Sequence, residues 1–153
     1  MKPVIFLRIA SVLAMIHSVL HTVGGVFGKP TPGVAAMVAA TMQDNRFPAL
    51  GQMRSYADFY RGMGLGVTIF LTAEAIVFWF LASLIQADGV RLRPILCVFA
   101  AGYLAFALNS YAYFFMMPVI VETLIAACLI MSAVTAKSQT AAQREVQAVQ
   151  TAH

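Results

Sequence analysis

Residues 54–86, RSYADFYRGMGLGVTIFLTAEAIVFWFLASLIQ, decide how this chain is read. Arg54, Asp58 and Arg61 crowd the start of the stretch, and the remainder is apolar apart from Glu74. At about 1.5 Å rise per residue, a helix over Thr68–Ile85 with a few flanking residues crosses a hydrocarbon core of about 30 Å. The stretch therefore predicts a membrane helix with charges at one mouth and a carboxyl inside it. A carboxyl at that depth costs a few kcal/mol on insertion scales, so it calls for a partner or a task.

The rest of the chain has the same character. Of its 153 residues, 61% are hydrophobic and 10% charged, and the mean hydropathy is +0.82. Soluble domains are about 45–50% apolar and about 25% charged, so there is too little polar surface here to clothe a water-soluble globule. The ten Lys and Arg are scattered, without a basic run or aromatic-interleaved patch, which argues against a nucleic-acid partner. Cys97 and Cys128 lie in apolar runs and read as small hydrophobes rather than a disulfide.

Outward from that helix, the fold class is an all-α membrane protein. It is a four-transmembrane-helix bundle with a short extra helix in the first extracytoplasmic connector. The spans fall at about 4–27, 56–86, 94–112 and 118–136, making residues 1–136 one domain, and residues 137–153 form a polar cytoplasmic tail. Residues 28–53 are a connector. Pro30, Pro32 and Gly33 end the first helix, and Val34–Gln43 make a helix too short to span. Asp88 and Gly89 close the second span, the third follows Arg91, Arg93 and Pro94, and Pro118 suits the first turn of the fourth. Lys2, Arg8, Arg91, Arg93, Lys137 and Arg144 fall on one side, against Lys29, Arg46, Arg54 and Arg61 on the other. The positive-inside rule then puts both termini in the cytoplasm of a multi-pass inner-membrane protein.

That topology gathers polar groups at the outer end: His17 and His21, Asp58 and Arg61, Asn109, and Glu122. Glu74 lies about 160° round its helix from Asp58 and faces either this pocket or another partner, such as a second protomer. His17 and His21 share a face with Ala10, Ala14, Gly24 and Gly28, a small-residue side suited to close packing and to homodimer formation. Asn109 shares a face with Gly102 and Ala105, Glu122 shares one with Ala126 and Ala133, and Gly62 and Gly66 form a GxxxG. Arg54–Asp58 and Asp58–Arg61 have ion-pair spacing. Tyr56, Tyr60, Tyr111 and Tyr113 suit an interfacial belt, and Trp79, deeper, suits packing.

These groups fit a pocket for an amphipathic molecule, a quinone or a lipid, with Arg61 holding its head and His21 and Glu122 hydrogen-bonding it. A membrane enzyme doing acid–base or metal-assisted chemistry on a lipid-soluble substrate is the alternative, as is a structural subunit of a membrane complex. His17, His21 and Glu122 are the candidates for metal ligands, although HSVLH (17–21) lacks the glutamate of HExxH. No motif requires a cofactor, and the expected partners are membrane lipids and a hydrophobic small-molecule ligand.

The start FLRIASVLAMIHSVLHTVGG (6–25) and the Pro-led close MMPVIVETLIAACLIMSA (116–133) resemble small bacterial four-helix membrane proteins of the DoxX-like group. Some of that group are associated with quinone or thiol redox systems, but no motif carries a site residue across. The long connector and RSYADFYRGMGLG (54–66) depart from the pattern. A second likeness, in architecture alone, is to sterol-isomerase and sigma-two-like bundles, which keep acids and a histidine in a lipid-facing pocket.

Overall fold

The structure is a computed structural model describing residues 2–137 and Thr151; the expected tail at 137–153 lies almost wholly outside the described residues. The chain is mostly helical. Helix α1 spans Pro3–Leu20 and runs into a π-helical turn, His21–Val26. Helix α2 spans Val34–Asp44, strands β1 (Arg46–Ala49) and β2 (Gln52–Ser55) form a hairpin, α3 spans Tyr56–Tyr113, and α4 spans Met116–Thr135. Three helices, Pro3–Val26, Tyr56–Tyr113 and Met116–Thr135, are long and apolar enough to cross a membrane.

Straight, the 58 residues of α3 would reach about 87 Å. The backbone leaves helical geometry at Asp88 (φ −151°, ψ 79°), separating arms at 56–87 and 89–113. Helix resumes at Gly89, so Arg91, Arg93 and Pro94 sit on the second arm rather than before it. Asp88 ties that restart by an ion pair to Arg91 at 3.1 Å. The chain divides into two compact units, Met15–Ala73 and the remainder, and each is described separately.

In the unit formed by residues to Ala14 and from Glu74 onward, helical segments pack antiparallel. Glu74 meets Tyr103 and Phe78 meets Phe99, so residue numbers rise on one arm as they fall on the other. The second arm meets α4 in the same sense, through Ser110–Glu122 and Arg93–Ala136. Small residues make this closeness possible: Ala10, Ala14, Ala75, Ala82, Ala100, Ala107, Ala126 and Ala133 are buried, interleaved with Leu7, Phe78, Leu96, Ile125 and Leu129. A Cβ on Gly89 would stand 3.0 Å from Ala136 Cβ and 3.2 Å from Lys137 O, so any larger residue would need these neighbours to give by a few tenths of an ångström. Arg93 Nη2 donates to Ala136 O at 2.6 Å, satisfying a carbonyl just past the end of α4.

Two expected faces are corrected. The buried side of the second arm runs Leu96, Ala100, Tyr103, Ala107, Ser110, while Gly102, Ala105 and Asn109 are exposed. One residue is about 100° of helix, so a one-position error moves the polar group from Ser110 to Asn109. Trp79 is not interior packing: it is half exposed, with the Arg8 guanidinium stacked 3.5 Å above its ring.

In the Met15–Ala73 unit, Ser55 is both the last strand residue and the N-cap of α3. Asp58 Oδ2 accepts from Ser55 N at 2.8 Å, and Ser55 Oγ accepts from Asp58 N at 3.2 Å. This reciprocal capping box is encoded by Ser-x-x-Asp. The hairpin pairs Ala49 with Gln52 across Leu50 (φ 46°) and Gly51 (φ 86°), both left-handed, as a type I′ turn requires. Phe47 on β1 packs on Tyr56 and Phe59 of α3, with ring centroids 4.9 and 5.8 Å away.

Candidate functional site

Expected site residues fall in both units. In the Met15–Ala73 unit, His17 is buried and His21 half buried. His21 Nε2 lies 3.1 Å from Gly64 O; a carbonyl only accepts, so Nε2 carries the hydrogen. Beyond His21 the wider π-helical turn breaks the α-helical face, leaving Gly24 and Gly28, expected on the packed side, exposed. The close-packed glycine near the start of α3 is Gly64, where a Cβ would sit 2.9 Å from Val26 Cγ2, while Gly62 and Gly66 have open space. Within the chain, then, Gly62 and Gly66 pack against nothing.

Around His21 runs a set of hydroxyls the sequence reading passed over. Ser18 Oγ bonds Thr68 O (3.1 Å) and Thr72 Oγ1 (2.8 Å). Thr22 Oγ1 bonds Ser18 O (2.6 Å) and Thr68 Oγ1 (2.9 Å). Thr68 and Thr72 also donate to carbonyls one turn back, Gly64 O and Thr68 O. The signal was present: Ser18/Thr22 and Thr68/Thr72 are each four apart, placing two hydroxyls on one face of each helix.

Asp58 is corrected from an ion-pair partner to a cap. As the third residue of α3, its carboxylate reaches back to the Ser55 N–H, and Arg54 donates instead to Gln52 Oε1. Arg61 is exposed. Arg54, Asp58, Phe59, Arg61, Gly62, Met63 and Leu65 line an open groove of about 550 Å³. The groove puts two guanidinium groups and the capped Asp58 carboxylate beside a phenyl ring, a thioether and an isobutyl group.

In the other unit, Glu74 has a partner within its own chain. Tyr103 OH donates to Glu74 Oε2 at 2.7 Å, and Tyr103 is 3% exposed. Glu122, 1% exposed, accepts at Oε1 from Ser110 Oγ at 3.0 Å. Tyr103 and Ser110 are seven apart, two turns along one face of the second arm, so that arm supplies the hydroxyl for both carboxyls. Tyr103 was missed because it sits unmarked in the apolar run 95–108. Asn109 is exposed, and its side chain makes no hydrogen bond among the described residues.

Cys97 is exposed, Cys128 half buried, and both are free thiols. Among the described residues no three His, Cys, Asp or Glu side chains come together as a metal site. No family model, curated protein or solved structure matches this chain.

Proposed function

We propose that this chain is an inner-membrane protein with four crossings and cytoplasmic termini that binds a small amphipathic molecule at the start of α3. The observation that carries it is the groove of about 550 Å³ in which Arg54 and Arg61 stand beside Phe59, Met63 and Leu65. A guanidinium fork matches the oxygens of a phosphate, carboxylate or quinone carbonyl, and apolar neighbours receive a ring or acyl chain. The arms of α3 at 56–87 and 89–113 are each long enough for one crossing, which supports four passes.

His21 and Glu122 are already engaged, by Gly64 O and Ser110 Oγ. Under this reading they hold helices together, and the arginines take the headgroup. A quinone ligand would accord with the resemblance to DoxX-like proteins.

The test is thermal stability of the full chain in detergent, titrated separately with a short-chain ubiquinone analogue and with short-chain phosphatidylglycerol. At about 100 times Kd a ligand that binds only the folded state stabilises it by about 2.7 kcal/mol. That shift should appear with one of the two and vanish in the Arg54→Ala/Arg61→Ala double variant, while Asn109→Ala keeps it. A shift that survives loss of both arginines, or no shift with either compound, would overturn the proposal.

A further inference from the structure

Helix α2 opens with Val-Ala-Ala-Met-Val-Ala-Ala, residues 34–40, which cover every side of about two turns with apolar groups. No residue of α2 is buried by the rest of the chain. Val34, Met37 and Val38 are 75%, 69% and 53% exposed. Ala36, Ala39 and Met42 are half buried along one side, and Val34, Met37 and Val38 face the opposite way; an apolar helix side with nothing of its own chain over it belongs in an apolar medium.

The hairpin tip makes the same point independently. Leu50 takes the first turn position at φ 46°, where Asn, Asp or Gly is favoured, and its side chain is fully exposed. Neither turn formation nor packing within the chain accounts for leucine there. Met53, one position past Gln52, is 54% exposed. Around these apolar groups stand Lys29, Arg46, Arg54 and Arg61, against Asp44 and Asp58. Four cations against two acids leave the segment with a net charge of +2.

We infer that α2 and the Leu50 tip insert into the interface of a bilayer with an anionic surface. The apolar side chains enter the acyl boundary, and the cations remain at headgroup level. The inference rests on the membrane-crossing part of the reading above, not on ligand binding at the groove. It makes the connector an anchored element, fixed on both sides by crossing helices and in between by its own apolar residues.

The experiment places single nitroxide labels at Met37→Cys, Leu50→Cys, Gln52→Cys and Ile69→Cys in the full chain carrying Cys97→Ser and Cys128→Ala. The protein is held in nanodiscs of phosphatidylcholine with about 30% phosphatidylglycerol, and again in phosphatidylcholine alone. Collisions with oxygen, which concentrates in lipid, are compared with collisions with a water-soluble nickel chelate. At positions 37 and 50 the oxygen-to-nickel ratio should exceed that at position 52 by about fivefold, and fall by about half without the anionic lipid.

Nickel-accessible labels at 37 and 50 with a lipid-exposed label at 69 would overturn the insertion alone. Protection from both reagents would also overturn it, indicating a covering protein such as a second copy. Insertion that ignores lipid charge would refute the anionic preference. A nickel-accessible label at 69 would bring down the membrane-crossing reading itself, and the insertion with it.

Discussion

Tyr103 OH and Glu74 Oε2, 2.7 Å apart, join the two arms of α3 by a hydroxyl-to-carboxyl bond. The pair sits beside the ring cluster in which Phe78 meets Phe99 edge-on at 5.1 Å and Tyr103 at 6.0 Å. Tyr103→Phe removes the donor and leaves the ring packing intact. It should lower stability by about 1–2 kcal/mol, as hydrogen bonds to carboxyl groups do. Glu74→Gln keeps an acceptor and should cost less. A double-mutant cycle on thermal unfolding in detergent measures the coupling, and additivity of the two changes would show that the bond contributes nothing.

The second carboxyl is held more deeply. Glu122 lies beside Ile125 and Ala126 in the packed face of α4 and takes the Ser110 hydroxyl at 3.0 Å. Ser110→Ala should cost about 1–2 kcal/mol. Glu122→Ala, which removes buried volume as well, should cost about 2–4 kcal/mol. Chemical or thermal unfolding of the purified variants gives the order, and a Ser110→Ala cost equal to or above that of Glu122→Ala contradicts it.

The role of Asp58 separates two electrostatic accounts. As a capping residue it should lose stability in Asp58→Ala and less in Asp58→Asn, which retains an acceptor. The loss should be nearly the same at low and high salt, because the bond runs to a backbone N–H. An ion pair with Arg54 or Arg61 predicts instead a loss that fades as salt screens it. Unfolding at two ionic strengths decides between them.

Leu50→Asn replaces leucine by a residue suited to left-handed backbone at a fully exposed site. In detergent it should raise stability by up to about 1 kcal/mol. An unchanged or lowered stability would mean that an apolar medium, the detergent or a covering chain, holds the Leu50 side chain in the folded protein.

The apolar helices were legible because membrane length and composition are read over twenty residues at once. Single errors do not matter there, and the α2 boundaries fall within a residue of the expected Val34–Gln43. Rotation about each helix axis was less legible. Ser110 and Asn109 are neighbours in sequence but lie on different faces, and nothing local distinguishes the buried one. The hairpin escaped notice because RFPALGQMRS (46–55) shows neither clear alternation nor an Asn-Gly turn, and contains a proline. Asp58 was assigned by charge spacing, whereas its partner was fixed by where α3 begins. The two hydroxyl pairs, Ser18/Thr22 and Thr68/Thr72, were visible as spacing but carry no formal charge, so they drew no attention.

Ser55 ends a strand and caps the helix that starts at the next residue, so no residue lies between them to act as a joint. The capping box and the Phe47 contacts with Tyr56 and Phe59 clamp that junction. The hairpin is therefore a lever arm fastened to the end of α3. A force applied at Leu50 is delivered as torque to the helix turns that carry Arg61 and Gly64.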